Sequence, residues 1–591
     1  MLDKRPTARS LVAPLLVAVM VLTGSCTQGS PDTAERPGSP AGSLWSDETV
    51  PAVSGDPAAR PIEVGTEFTT TSDGVVTAAR FYQGPEDTGA VTATLWSSDG
   101  TALGTVPITT GPSGWRNVPF DEPIPIQAHG SYVISYRASN GNYPTDPNTF
   151  DLGATVKSGW LTARDGRFTY GEGIPDQSGN GAAYFVDVVF EPTGPSLRSV
   201  DGGEEYYDTF ENSLPTSPDY FPLAVWFARV TSPEEAAVDR TIGLNTYVEL
   251  TEDSDVRVIR DSGMFALPSR PDPLASGQLT TDEADMWAGA GDAPWTGRMP
   301  DDRPICVPEQ AKCGYTVMYA FRSKVPSGVM TFTNYGKGVT FWEPRDAAER
   351  FVNDFQDVVS ADNYWFTDDT ICQADQGGVL TKDGQADLSP AECHLAANYG
   401  VTTRYVRSLV QPRAAMPVWN FVEVGHPFEE DTGGTITGPQ IRAAVWSSII
   451  NGARGIVYFS HNFGGPCLSY NIFRDRCGDG IRDDVRAVND QINRLAPVLN
   501  APFVDGFARS DGPVDLAAKY HEGSLYVLAG STRNEGGDAT IALACGNADQ
   551  VEVLDEGRSI PVTGNTFRDT FDDGNAVHLY RIDRTADCDL Q

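Results

Sequence analysis

Two glutamates close short apolar runs of β-strand character. Glu283 ends Gly277-Gln278-Leu279-Thr280-Thr281-Asp282-Glu283, and Glu423 ends Met416-Pro417-Val418-Trp419-Asn420-Phe421-Val422-Glu423. Two carboxyls can divide acid/base work. One keeps a proton and gives it to a leaving oxygen; the other stays ionised and attacks, or activates water. Cleaving a glycosidic bond needs such a pair flanking one cleft. Rings stand beside both elements: Trp419 and Phe421 precede Glu423, and Tyr364, Trp365 and Phe366 follow another apolar run. They suit stacking on sugar faces and equally suit the filling of a barrel. His426 and His461 read as structural hydrogen-bonders or as cleft residues, and Asn334 offers an amide to sugar hydroxyls.

A cleft of this kind needs elements that bring distant runs together. Eight apolar runs read as strands: 221–226, 246–250, 264–267, 277–280, 329–333, 358–364, 416–424 and 455–459. Helical patterns lie between them, as in Pro233–Ile242, Arg345–Gln356, Ala391–Leu409 and Gly438–Asn451. This alternation predicts a (β/α)8 barrel over residues 215–500, with reactive groups at the C-terminal ends of its strands. An open doubly wound sheet is the alternative, but no Gly-rich dinucleotide loop follows any strand. Residues 43–194 carry short alternating strands and Gly/Asp/Asn/Pro turns, which predicts an all-β sandwich. Residues 501–591 return to short strands and predict a small C-terminal β-domain. Residues 27–42, rich in Pro, Gly, Ser and Thr, read as a tether.

Residues 1–26 read as an export signal. Lys4, Arg5 and Arg9 precede an apolar run from Leu11 to Leu22, and Thr23-Gly24-Ser25-Cys26 follows. Small residues before a cysteine resemble a bacterial lipoprotein signal, which implies lipidation of Cys26. Ordinary cleavage nearby, with Cys26 incidental, is the other reading. The remaining cysteines fall into sequence neighbours: Cys306 and Cys313, Cys372 and Cys393, Cys467 and Cys477, Cys545 and Cys588. An even number in an exported chain predicts disulfides, and neighbour pairing would staple one loop each. No CxxC occurs and the histidines are scattered, so no metal centre or cofactor is expected.

Two resemblances sharpen the reading. Gly65-Thr66-Glu67-Phe68, Ala79-Arg80-Phe81-Tyr82, Leu95-Trp96-Ser97-Ser98-Asp99-Gly100, Gly114-Trp115, Ser131-Tyr132-Val133-Ile134-Ser135-Tyr136 and Tyr184-Phe185-Val186-Asp187-Val188 resemble the bacterial family catalogued as domain of unknown function 4082. That resemblance implies an accessory module beside an extracellular, often carbohydrate-related, partner domain. Trp96, Trp115 and Tyr136 would form either a sugar platform or sandwich core. In the central segment, Tyr220–Trp226, Gly243–Val248, Asn334-Tyr335-Gly336-Lys337-Gly338, Ala361–Trp365 and Gly452–Phe459 are similar to a poorly characterised branch of the retaining barrel glycosidases. That clan carries its acid/base after strand four and its nucleophile after strand seven. The resemblance implies Glu283 as acid/base and Glu423 as nucleophile, with Tyr364 donating to the nucleophile. Trp226, Asn334, His426 and His461 would line the cleft, with Trp365 and Trp419 as further sugar contacts. Ala284 stands where the clan has proline. If the fourth strand ends later, Asp292 would replace Glu283.

Composition narrows the partners. Of 591 residues, 43 are Lys or Arg and 80 are Asp or Glu, a formal charge of −37. A nucleic-acid binder needs a basic face to neutralise phosphates, and no long Lys/Arg cluster appears, so no nucleic-acid partner is expected. Contact with a membrane would be through the lipid anchor alone. The expectation is a polysaccharide-cleaving protein on the outer face of the envelope, or secreted. The rival is a non-catalytic glycan-binding or adhesive protein on a degenerate barrel.

Overall fold

The structure, a computed structural model, describes residues 42–591 apart from 58–59, 86–88, 110, 151–153, 172, 180, 369, 375, 377–386, 430–433, 547, 584–587, 589 and 591. The expected signal, Cys26 and all of the tether but Gly42 lie outside the described residues.

Antiparallel strands come first. Ile62–Thr70 runs between Ser131–Ala138 and Leu161–Thr169 in one sheet, and Gly74–Gln83 between Gly114–Ile126 and Val186–Pro192 in another. Val64, Phe68, Phe81, Ile134 and Tyr136 are fully buried in the core of this sandwich. Tyr136 is therefore core. Trp115 is half-buried under the Arg80 guanidinium, 3.8 Å from its ring centroid. Trp96 donates to Ser135 Oγ at 2.8 Å.

The centre is an eight-stranded parallel sheet curled into a barrel. Its strands are β1 (Leu223–Ala228), β2 (Thr246–Leu250), β3 (Phe265–Leu267), β4 (Gln278–Asp282), β5 (Thr331–Tyr335), β6 (Val358–Ala361), β7 (Val418–Glu423) and β8 (Ile456–Phe459). They pair in the order β3-β2-β1-β8-β7-β6-β5-β4. The seam between β3 and β4 is spanned by Leu279 N donating to Pro268 O at 3.1 Å and by Gln278 Nε2 donating to Ser269 O at 3.0 Å. Inward positions are apolar: Ala224, Val248, Leu279, Phe332, Val358, Trp419, Phe421 and Val457 fill the interior. Helices begin where local chemistry starts them. Ser232 and Glu235 form a reciprocal cap with Pro233 at the first position, and Thr437 and Gln440 do the same before Pro439.

Helix Ala397–Leu409 is tied to its surroundings by charge. Arg407 grips Asp201 with two hydrogen bonds, and Arg404 reaches Asp515 of the C-terminal domain at 2.7 Å. That domain has a seven-stranded and a three-stranded antiparallel sheet, and the linker strand Ser196–Arg198 joins the larger one.

Four disulfides join Cys306–Cys313, Cys372–Cys393, Cys467–Cys477 and Cys545–Cys588. The first three lie in the segments that follow β4, β6 and β8, at the C-terminal end of the barrel. Such bridges fit an oxidising, extracytoplasmic compartment. Among the described residues no helix is long and apolar enough to cross a membrane.

Trp419 is fully buried, packs edge-on against Phe332 at 5.3 Å, and donates to Tyr207 Oη at 3.2 Å. Trp419→Ala is expected to cost about 3–5 kcal/mol, read as a lower urea midpoint of the barrel transition. An unchanged midpoint would contradict this packing.

Candidate active site

Side chains alternate along a strand, so the residue two beyond a core position faces the same way, one layer higher. Trp419 and Phe421 face inward, and Glu423 follows them. Phe332 is followed by Asn334, and Val358 by Ser360 and then Asp362. Ala224 is followed by Trp226, and Val457 by Phe459. This period places a polar and aromatic layer on top of an apolar plug.

Glu283 arrives differently. The β4–β5 register shifts between Leu279 and Asp282, and Glu283 adopts φ +49° at the head of the short helix Ala284–Trp287. Its N–H donates to Asn334 O at 3.0 Å. Gly336 leaves the room this needs, since a Cβ there would lie 2.8 Å from Glu283 Oε1 and 2.2 Å from Met286 Sδ. Phe227 and Glu249, at the ends of β1 and β2, also have positive φ, +49° and +58°. Non-glycine residues in this region are uncommon and cluster at functional sites.

Around Glu283 the structure gathers more acid than the strand pattern predicts. Asp282, Asp285 and Asp362 surround it. Asn334 Nδ2 donates to Asp282 Oδ1 at 2.9 Å, and Asn334 Oδ1 accepts from Ser360 Oγ at 2.8 Å. Burial first, then the charges of Asp282 and Asp285, push the Glu283 carboxyl up to about 8. Burial, then the charges of Glu283 and Asp282, holds Asp362 well above the usual carboxylate range. Two such carboxyls side by side share a proton rather than ionise together. Oδ1 of Asp362 is buried without a hydrogen-bond partner. Asp285 holds the backbone after β5, accepting from Val339 N at 2.6 Å and from Gly336 N at 3.3 Å. Lys337 is turned to Asp368 at 2.7 Å.

Glu423 is enclosed. Its Oε1 accepts from Phe366 N at 3.2 Å and Thr367 Oγ1 at 3.3 Å, and its Oε2 from Tyr399 Oη at 2.5 Å. Burial raises it to about 7 against the pull of these donors. The phenol that donates to Glu423 is thus Tyr399, from helix Ala397–Leu409, rather than the expected Tyr364. Tyr364 is instead half-buried, and its phenol lies in the field of Asp362, Glu283, Asp282 and Glu423 together. Both glutamates therefore bear on one phenol at the mouth.

Of the other expected contacts, Trp226 is half-buried at the mouth, edge-on to Phe421 at 5.4 Å. His461 is buried with Nε2 3.4 Å from Trp226 O. His426 is buried, its Nδ1 2.9 Å from Thr435 Oγ1. Two expectations are corrected. Trp419 lies inside the apolar plug, and Trp365 is fully buried with its Nε1 donating to Thr402 Oγ1 on the neighbouring helix, so neither can meet a sugar. Asp292 is exposed and paired with Arg350 at 2.6 Å, away from this cluster. Cys372, Cys393 and His394 have metal-ligand spacing, but the two sulfurs are bonded to each other.

Rings continue outward from Tyr364. Phe459 lies 5.3 Å from it, His461 5.2 Å from Phe459, and Phe227, Phe463 and Tyr470 surround His461 at 5.8, 5.7 and 6.4 Å.

Comparison with known proteins gives a partial likeness. Residues 48–186 match the family described as domain of unknown function (DUF4082). No curated protein matches the chain. Similar solved structures include one titled glycoside hydrolase, with TM-score 0.36 and 10% identity over 62% of this chain and 93% of that one. A GH30 endoxylanase from Clostridium papyrosolvens C71 has TM-score 0.32 and 12% identity over 66% and 98%. A glycoside hydrolase family 5 protein from Bacteroides vulgatus ATCC 8482 has TM-score 0.36 and 9% identity over 62% and 90%.

Raised carboxyl pKa values set the sign of a stability effect. The folded chain keeps protons on Glu283 and Glu423 that the unfolded chain has lost, so their contribution weakens stability as pH climbs from about 4.5 to about 8. Glu283→Gln removes one of them. The variant should be more stable than the parent at pH 8, with the difference vanishing toward pH 4. Urea midpoints at the two pH values measure this, and a difference independent of pH would contradict it.

Proposed function

We propose that the chain is an exported, lipid-anchored glycoside hydrolase of the outer envelope, acting on a polysaccharide with retention of anomeric configuration. Its parts would be a signal peptide (1–26) with lipidated Cys26, a tether (27–42), an accessory sandwich (43–194), the catalytic barrel (215–500) and a C-terminal β-domain (501–591). The observation that carries the reading is one pairing. Two glutamates stand at the C-terminal ends of β4 and β7; burial raises both, and the charges of neighbouring carboxylates add to the rise at Glu283. In this reading the Glu423 carboxylate attacks the anomeric carbon while Glu283 gives its proton to the departing glycosidic oxygen. Glu283, now ionised, takes a proton from water. The resulting hydroxide attacks the same carbon and frees Glu423. Tyr399, Phe366 N and Thr367 orient the nucleophile, Trp226 and Tyr364 line the sugar site, and Asn334, buried and bonded to Asp282 and Ser360, holds the acid cluster beside Glu283 rather than meeting a sugar. The acidic balance of the chain favours a neutral or cationic glycan.

One observation favours a second reading, a glycan-binding barrel without catalysis. Glu423 has no exposed surface and every oxygen is already bonded. A panel of neutral and cationic polysaccharides separates the two. The wild type should release reducing sugar from one of them, with the β- or α-configuration of the bond kept in the first product seen by NMR. Glu423→Gln should release none. Glu283→Gln should be slower by about 10²–10⁴-fold on natural linkages and far less impaired on aryl glycosides whose leaving group needs no proton. Because Glu423 must be ionised and Glu283 protonated, kcat/KM should peak between limbs near about 7 and about 8. Binding without release, unchanged in Glu423→Gln, would assign the barrel to the second reading. Incorporation of labelled fatty acid, abolished by Cys26→Ser, tests the anchor.

A further inference from the structure

We propose that the hairpin after β8, residues 462–477, together with Phe227 of β1, is a preformed stacking platform that carries a glycan chain outward from the carboxylate site. This rests on reading the barrel mouth as a carbohydrate site, and it adds a substrate class: polymers or long oligosaccharides rather than single terminal sugars.

The hairpin is rigidly built. Cys467–Cys477 closes it, Asn462 and Ser469 exchange backbone hydrogen bonds at 2.8 and 3.0 Å, and Ile472 N donates to Ser460 O at 3.0 Å. Asn462 Nδ2 donates to Cys467 O at 3.2 Å, and Oδ1 of the same residue accepts from His426 N at 2.8 Å. Yet it presents large apolar groups to water: Tyr470 is 81% exposed, Leu468 70% and Phe463 42%. Phe227 is 42% exposed beside them, at a backbone φ of +49°. A loop held this firmly could have hidden those rings, and exposed apolar groups gathered in one place mark a contact surface.

The rings are also continuous with the chemistry. They join one another at spacings of 5.2 to 6.4 Å from Tyr470 through His461 and Phe459 to Tyr364, whose phenol lies in the field of Glu283 and Glu423. The exposed platform therefore rests, through buried His461, against the rings of the mouth, and a chain lying on it borders the carboxylate site. The C–H face of a pyranose fits the electron-rich face of an aromatic ring, while the sugar's hydroxyls stay in water. Because the loop is fixed beforehand, little ordering entropy is lost on binding.

The test uses the whole protein with Glu423→Gln as background, so that no polymer is consumed. It is run through native gels containing xylan, galactomannan, laminarin or glycol chitosan. At least one polymer should slow the protein. Adding Phe463→Ala and Tyr470→Ala should weaken that retardation by about tenfold or more in apparent affinity. Tyr470→Trp, which keeps a ring, should preserve it and shows that the hairpin still folds. Retardation equal in the double-alanine protein, or by none of the four polymers, overturns the proposal. If wild type slows in the gel and loses this with the alanines but never releases sugar, the platform stands and the hydrolase reading fails.

Discussion

A carboxylate taken out of water must be surrounded by donors or keep its proton, and the upper half of this barrel is arranged around that demand at Glu423. Each donor comes from a different piece of chain. Phe366 and Thr367 belong to the segment after β6, and Tyr399 to the helix before β7. The segment is closed by Cys372–Cys393. The helix is gripped from outside by Asp201 of the linker and Asp515 of the C-terminal domain. The flanking parts of the chain thus bear directly on the helix that carries Tyr399. On the far side of the mouth the balance is opposite. Asp282, Glu283 and Asp362 have few donors and much mutual repulsion, so protons take the place of partners. One fold thereby raises two glutamates by burial, one opposed by donors and the other reinforced by neighbouring carboxylates.

The barrel was legible because its signals are periodic. All eight apolar runs are strands, and their inward residues can be counted two by two up to Glu423 and Asn334. The helical patterns at Pro233–Ile242 and Gly438–Asn451 were legible, and the reciprocal caps at Ser232 and Thr437 that start them came into view with the structure. The position of Glu283 at a strand end was legible too, although its left-handed backbone and its dependence on Gly336 were not. Both are consequences of a register shift between neighbouring strands that no single run records.

What could not be read was identity of contact. Tyr399 sits on a helix face that looks like ordinary core, and only the packing of that helix against β7 turns its hydroxyl toward Glu423. Tyr364, after the sixth strand, was the donor that the family resemblance implied. Trp365 and Trp419 were attractive as sugar contacts because tryptophan serves both roles. Their burial depends on which layer of the barrel they occupy, and Trp419 lies a layer too low. Asp362 was in view within Ala361–Trp365 but carried no mark of its own. Its neighbour Glu283 is 79 residues away in the chain, and carboxyl clusters form only when strands close.

The bridges at the C-terminal end of the barrel carry a further meaning. Three of them tie segments that follow alternate strands, while the barrel wall itself contains none. The wall can therefore assemble from hydrophobic burial and hydrogen bonding in any compartment, whereas the shape of the mouth depends on thiols being oxidised. Under reducing conditions such a chain would carry its framework without its finished opening, so the redox state of its surroundings sets the shape of the mouth and leaves the wall untouched.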